Sequence, residues 1–333
     1  MPATAINEET VRELVGDAVA APSMHNAQPW RFLYHRRDRV LDLYADPLRA
    51  MPTADPEGRA LRIGCGAALL NLRVAAWHAG LRPDVTVSGT SDLSHDAGPL
   101  ATVRLAEAAP REIDHDLAGL FEMIGKRHTS RYPYADEPLP DRLRQRLTAQ
   151  AEAEGASLSF PTGWHLSLIL DVIEEAESES EYTGDPDEQR WVRTGTAESD
   201  TARDGIPEYS LGARKREGRA PVRDFARGHA ATDRGSAAFE RMPQLAVVST
   251  RDDAPEEWLA AGQAMERVLL LATREDVASS FATQALERPY LRWLLRDPVS
   301  GAGPVQMILR LGYGPMGARA PRRAVRDVLE VTP

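Results

Sequence analysis

The chain has 333 residues, 42% of them apolar and 27% charged, enough to bury a large core as two domains or one large one. A formal net charge of −10 argues against nucleic acid held on a general basic surface, and no apolar run approaches the ~20 residues that cross a bilayer. The single cysteine, Cys65, excludes an intrachain disulfide and a thiolate metal cluster, and Met1 to Glu9 shows no secretory pattern, so the cytoplasm is the expected location.

Val11, Leu14, Val15, Ala18 and Val19 recur at helical spacing and stop at Pro22, which predicts an opening amphipathic helix. Pro22 and Pro29 then bracket an irregular loop whose Ser23, Asn26 and Gln28 both donate and accept hydrogen bonds without carrying charge. Such a loop suits a heteroaromatic ligand with alternating donors and acceptors along one edge; the plainer reading is a polar helix-to-strand connection. His25 has two equal readings, a donor to a ligand or a packing residue. Arg31–Tyr34 and Val40–Tyr44 predict two strands, and a long helix runs from Glu57 to Ala79, where Gly80 stops it. Cys65 sits within that apolar helix and reads as an inert buried thiol.

Asp84–Ser88 and Thr102–Ala106 predict further strands. A helix carrying Ile113, Leu117, Leu120, Phe121 and Ile124 leads into Arg127-His128-Thr129-Ser130-Arg131. Two arginines four residues apart with hydroxyls between them suit a phosphate, or form a solvated basic cluster near a helix end. Helices follow around Pro140–Glu154 and Trp164–Glu181. Between Tyr182 and Gly235 large aliphatic residues thin out while charges, Gly and Pro become dense, so this stretch cannot hold its own core and reads as a surface excursion or a lid. Strand Leu245–Thr250, helix Glu256–Thr273 and strand Val305–Leu311 precede an arginine-rich tail. Gly66, Ala68, Leu69, Leu72, Val74 and Ala76 align without gaps with Gly262, Ala264, Met265, Val268, Leu270 and Ala272, a faint repeat that predicts a fused tandem of α+β halves. No metal-ligand spacing, nucleophile elbow or P-loop is present, and Gly64-Cys65-Gly66 lacks the strand and third glycine of a dinucleotide fingerprint.

Residues 21–32, Ala-Pro-Ser-Met-His-Asn-Ala-Gln-Pro-Trp-Arg-Phe, resemble a loop of the nitroreductase family with the pattern A-P-S-x-x-N-x-Q-P-W-x-F. Arg127–Arg131 is similar to the Arg-Arg-Ser-x-Arg element with which that family grips a flavin phosphate, with histidine in second place. In ordinary members that element comes first and the flavin sits at a dimer interface; here the order is reversed. The layout resembles the Acg-like branch over almost the entire chain, with further matching strings at Asp204–Pro207, Trp258–Ala264, Leu309–Gly314 and Pro321–Val325.

The resemblance implies a nitroreductase-like α+β fold of two fused halves, residues 1–110 and 111–333, each with a small, mostly antiparallel sheet flanked by helices. They would form a pseudo-dimer within one chain, with a lid insertion at residues 182–235. It also implies one non-covalent FMN at their junction, with Arg127, His128, Thr129, Ser130, Arg131 and Arg322 toward the phosphate and ribityl groups. Ser23, Met24, His25, Asn26 and Gln28 would line the ring side, with Ala282 and Thr283 beside the isoalloxazine. The implied activity is NAD(P)H-dependent two-electron reduction of a nitro-aromatic or quinone-type acceptor, with no obligatory catalytic acid or base because the cofactor carries the chemistry. The alternative is a non-catalytic flavin-sequestering or storage protein whose lid closes over FMN. Expected partners are a small-molecule acceptor or none, with no nucleic acid or membrane, in a monomeric pseudo-dimer or a homodimer.

Overall fold

Asn7 caps the first helix, α1 (Glu8–Ala18), by accepting a hydrogen bond from the Thr10 N–H at 2.9 Å, and the helix buries Val11, Leu14 and Val15. The computed structural model describes residues 6–94, 96–183, 186–193, 201–225 and 234–333, leaving aside the side chains of residues 180–183. Residues 184–185, 194–200 and 226–233 of the expected lid lie outside the described residues.

After the Pro-bracketed loop, β1 (Trp30–His35) and β2 (Val40–Ala45) form a hairpin with Phe32 opposite Leu43. Along β1, Trp30, Phe32 and Tyr34 are buried and alternate with less buried residues, the two-residue period of a strand with one face on a core. Helix α2 (Arg59–His78) ends at Gly80, whose φ of 76° favours glycine, and leads into β3 (Leu81–Val87) and β4 (Ala101–Glu107). The helix expected over Ile113–Ile124 is instead two single turns, His115–Ala118 and Phe121–Ile124. The Leu120 N–H bonds to Leu117 O rather than four residues back, so the ladder tightens and breaks next to Gly119.

Helix α3 (Asp141–Glu152), strand β5 (Ser157–Ser159) and helix α4 (Gly163–Thr183) follow; then β6 (Gln244–Ser249), α5 (Pro255–Arg274), β7 (Ala278–Phe281), β8 (Val305–Gly312) and β9 (Leu329–Thr332). The first sheet has the order β9-β1-β2-β4-β3, all antiparallel except for β9, which returns from the end of the chain to lie parallel to β1. The second, β7-β8-β6-β5, is antiparallel throughout. The fold is α+β. No helix among the described residues is long and apolar enough to cross a membrane.

Helices α2 and α5 cross at the centre through glycine. A Cβ on Gly66 would stand 2.1 Å from Leu259 O, and one on Gly262 would stand 2.0 Å from Ile63 O. The relation is reciprocal: each glycine meets the carbonyl three residues before the other. One continuous core joins Leu69 and Leu72 of α2, Met265 and Val268 of α5, Phe32 and Leu43 of the first sheet and Leu309 of the second. The two sheets therefore do not have separate interiors. A smaller core beside it packs Ile169 and Ile173 of α4 on Leu245, Val247 and Ile308. Gly262→Ala forces the helices apart at a backbone contact; a loss of about 1–3 kcal/mol is expected, read as a lower urea midpoint with an unchanged slope.

Candidate functional site

The Pro22–Pro29 loop rests directly on α2, since a Cβ on Gly64 would lie 3.1 Å from Ser23 Cβ. Ser23 Oγ accepts the Gln28 N–H at 2.9 Å and closes a short turn over Met24–Asn26. His25, Asn26 and Gln28 adopt positive φ values of 48°, 56° and 55°. Left-handed backbone costs a non-glycine residue roughly 1–2 kcal/mol, so the loop needs external ties.

The ties are the amides. Asn26 Nδ2 donates to Gly205 O at 2.9 Å and to Pro321 O at 3.0 Å; its Oδ1 accepts from Arg322 Nη1 at 3.0 Å. The Gly205 N–H donates back to Asn26 O at 3.1 Å. Gln28 Nε2 donates to Arg203 O at 2.9 Å, and its Oε1 accepts the Arg323 N–H at 2.8 Å. Both side chains thus satisfy backbone groups of two segments remote in sequence, one just before the short parallel pairing of Ile206–Pro207 with Val192–Arg193 and the other in the C-terminal arm. The amide groups read in the sequence as a ligand edge serve here as fasteners.

The Arg127–Arg131 segment docks on β7, where Thr129 bridges to Ser279 and the Ser130 N–H donates to Ser279 O at 2.8 Å. Ser130 Oγ donates to Pro315 O at 2.7 Å, and a Cβ on Gly317 would stand 1.8 Å from Thr129 O. The segment is therefore clamped between β7 and the arm that leaves β8.

These pieces enclose one cavity of about 1280 Å³, counting the space open at its mouth. Ile63 and Gly64 of α2 and Met265 of α5 contribute to its wall. Ser23, Met24, His25 and Asn26 meet Arg127, His128, Thr129 and Arg131 across it, joined by Thr283 and Arg322. Gln28, Ser130 and Ala282 stand behind the wall: the first two are engaged as described, and Ala282 is fully buried in the smaller core. Further wall residues come from three segments: Gly205–Pro207, Val222–Phe225 apart from Asp224, and Ser280–Gln284 apart from Ala282. The first was marked in the sequence by the Asp204–Pro207 string and the last by the resemblance that put Ala282 and Thr283 beside the ring; Val222–Phe225 was covered only by the lid expectation.

At one end, Arg127 and Arg322 converge on a single carbonyl, Ala20 O, at 3.3 and 2.8 Å. Arg127 is buried and Arg322 half-buried, and Arg127 Nη1 and Arg322 Nε have no hydrogen-bond partner among the described residues. Behind them Glu266 places Oε1 3.4 Å from Arg127 Nε. Burial pushes the Glu266 carboxyl up to about 7, against the pull of Arg127, and pushes Arg322 down to about 9, helped by repulsion from Arg127. His128 falls to about 4 through burial and the neighbouring Arg127, Arg322 and Arg319. At the other end His25 meets the Phe225 ring edge-on at 5.5 Å, while Arg131 and Arg223 lie 5.1 and 5.4 Å from the same ring. Burial, with those two arginines, holds His25 far below the usual imidazole range. Near neutral pH both histidines are uncharged, and the cationic character of the cavity comes from arginine.

A cationic cavity assembled from the Pro-Ser loop and an Arg-x-x-x-Arg segment now stands beside the family comparison: the description "Nitroreductase family" matches residues 124–313, more than half of the chain. The chain belongs to the nitroreductase family. The matched span includes Arg127–Arg131 and Thr283 but not the Pro-Ser loop or Arg322. Among nitroreductase relatives, the chain is 28% identical to "Putative NAD(P)H nitroreductase acg" of Mycobacterium tuberculosis over 99% of its own length and 98% of that protein. It is 29% identical to "Putative NAD(P)H nitroreductase Rv3131" of the same organism, over 97% and 91% respectively. Among solved structures, it is similar to the FMN-dependent nitroreductase NfnB from Mycobacterium smegmatis in complex with NADPH at 15% identity, covering 60% of this chain and 89% of that one, with a TM-score of 0.35. A nitroreductase with bound FMN from Bacteroides fragilis matches at 15% identity over 60% and 90%, with a TM-score of 0.35.

Asn26→Ala removes three side-chain hydrogen bonds that hold a strained loop to two other segments. The expected loss is about 1–3 kcal/mol of stability, with faster amide exchange at Gly205 and Ile206 than in α2 or α5.

Proposed function

We propose that the protein binds one FMN in this cavity and acts as an NAD(P)H-dependent oxidoreductase on nitro-aromatic or quinone-type acceptors. The observation that carries the reading is the cationic end: the buried Arg127 and the half-buried Arg322, side by side on one carbonyl, with unpartnered N–H groups and a single carboxylate behind them. A phosphate offers the charge and the acceptor oxygens this arrangement lacks, and arginine forks match its geometry. The residues present therefore fit the phosphate of FMN. Arg127 and Arg322 would hold it, with His128 and Thr129 beside them. Met24, His25 and Thr283 would flank the ring, within a wall that also carries Ile63 and Met265.

When bound, FMN supplies two-electron chemistry, accepting a hydride equivalent from NAD(P)H and passing electrons to the acceptor. This chain's residues bind, orient and exclude water. His25, neutral and buried, adds no charge to the ring side. The cavity is built from parts on both sides of the α2–α5 crossing, and the reciprocal glycine contact supports the reading of two fused halves forming an internal pseudo-dimer.

One observation favours a second reading, flavin sequestration under a lid. Gly205–Pro207, Val222, Arg223 and Phe225, from the described part of the 182–235 excursion, form part of the cavity wall. Trp191 of the same excursion is buried against Ala27, Met51 and Ala54.

The purified protein should absorb near ~450 nm as an oxidised flavoprotein does. Arg127→Ala should weaken FMN binding about 10- to 100-fold, the loss expected for charged hydrogen bonds of ~1.5–3 kcal/mol, measured by flavin fluorescence titration. A variant that keeps full affinity refutes the phosphate assignment. Anaerobic mixing with NADH or NADPH should bleach the bound flavin rapidly; an unbleached flavin replaces the enzyme reading with sequestration.

A further inference from the structure

Glu266 is fully buried on α5, one residue beyond the wall residue Met265, and no sequence motif marked it. Its Oε1 faces Arg127 Nε at 3.4 Å, and the Asn71 amide of α2, turned to donate, reaches the same oxygen at 3.1 Å. Its Oε2 has no hydrogen-bond partner among the described residues. Arg127 is thus suspended between a carboxylate behind it and a cavity in front, with Nη1 unpartnered. The charged groups facing Glu266 are Arg127, from the segment after Phe121–Ile124, and Arg322, from the C-terminal arm; α2 presents only an amide. Glu154, just past α3, is paired with Arg73 and Arg267.

We infer that Glu266 is a positioning residue that serves as the internal counter-charge of Arg127, and that a phosphate dianion entering the cavity replaces it in that role while Glu266 takes up one proton. The inference rests on reading the cavity as a phosphate site, and deepens it by coupling anion binding to protonation. The proton is given up by hydronium or the buffer acid, whose bond to it breaks as an O–H bond forms on a Glu266 carboxyl oxygen; no bond within FMN or the rest of the chain changes. The geometry carries the argument. Two carboxylate-seeking guanidiniums share one carboxylate, so an added dianion would crowd a buried anion against another behind the same arginine. Protonating Glu266 removes that repulsion and leaves a neutral acid still able to hydrogen-bond Asn71.

The sign follows from linkage. Burial already holds Glu266 up at about 7, and a nearby dianion raises it further. Binding then takes up a proton above neutral pH, so affinity falls as pH rises, by up to about tenfold per pH unit. His128, near 4, does not titrate in this range, and a phosphate monoester with a second pKa of ~6 is already dianionic. Asp17 on α1, pushed up to about 6 by burial, is common to wild type and variant and cancels between them.

The test is FMN affinity of the full chain, by flavin fluorescence, from pH 7 to pH 8, below the range in which Arg322, held down to about 9, loses its charge. Wild type should weaken about fivefold across this range, whereas Glu266→Gln, a neutral isostere of the protonated acid, should stay within about twofold. Glu266→Asp should restore the slope. A second readout needs no variant: calorimetric titration of wild type with FMN at pH 8 in two buffers of different ionisation enthalpy should report about one proton taken up per FMN. Equal slopes in wild type and Glu266→Gln, or no proton uptake, with FMN bound tightly, overturn the role of Glu266 and leave the FMN reading standing. Absence of FMN binding by wild type at every pH overturns the FMN reading and this inference with it.

Discussion

The backbone contact between α2 and α5 governs the rest of the structure. With no side chain at Gly66 or Gly262, each helix approaches the other's carbonyls directly. Site residues lie close to that contact. Ile63 precedes Gly66 by three residues, and Met265 and Glu266 follow Gly262 by three and four, the spacing that stacks side chains on one helix face. Gly64, next to Ile63, is where the Pro-Ser loop settles. A wider crossing would move the cavity wall, the seat of the loop and the carboxylate behind Arg127 together. Dispersion contacts fall off within an ångström, so such a shift would not be absorbed by slack packing.

The second dependence is on a length of chain with little regular structure. From the end of β8 the polypeptide passes over Thr129 at Gly317, through the Asn26 and Gln28 amides at residues 321–323, and into β9 beside β1. Ordering each such residue costs about 1–2 kcal/mol, and a single hydrogen bond returns about 0.5–1.5 kcal/mol net. Side-chain ties alone leave this arm near balance, so its order depends on burial of Arg322, on Arg323 bonded to Asp327 O and Asp46, and on the β9 pairing. Residues 203–207 are similar: the same two amides, Asp204 between Arg49 and Arg193, and a two-residue parallel pairing of Ile206–Pro207 with Val192–Arg193 hold them. The cavity wall therefore includes the least self-sufficient parts of the fold, while its α2 and α5 residues belong to the most.

Helical periodicity made the long helices legible to within a few residues, and the alternation Trp30-Phe32-Tyr34 did the same for β1. Strands β5, β7 and β9 are three or four residues long, too short for a two-residue period to stand out, and β9 owes its place to a partner 300 residues away. The helix read across Gly119 had the right apolar spacing, but the glycine and a tightened turn divided it. At the site, two arginines four residues apart with hydroxyls between them made Arg127–Arg131 visible as a phosphate grip or a basic cluster; the choice between the two, and the place of Arg322, came from the family resemblance. Asn26 and Gln28 were readable as hydrogen-bonding groups but not as to whom they bond, since that depends on segments some 180 and 295 residues downstream. Val222–Phe225 lies in a charge-rich stretch that gives no local hint of facing inward. Glu266 was not singled out: it stands next to Arg267 in the helical run Ala264–Ala272, and its partner Arg127 lies some 140 residues upstream, out of reach of local pattern.

Glu266 explains how the buried Arg127, with the half-buried Arg322 beside it, can sit at the cavity end without a carboxylate of its own for each. Placing two guanidiniums out of water with no counter-charge would cost several kcal/mol each. Pairing each with its own carboxylate would leave a self-satisfied network with nothing to offer an incoming anion. One carboxylate, itself half protonated near neutral pH, sits between these extremes. It lowers the penalty enough for the fold to form and leaves an excess of positive charge pointing into the cavity. The Ala20 carbonyl, just past the C-terminal end of α1, adds a partial negative charge that both arginines share. The balance is local and incomplete by construction, and an anion that completes it adds to the stability of the folded chain by mass action.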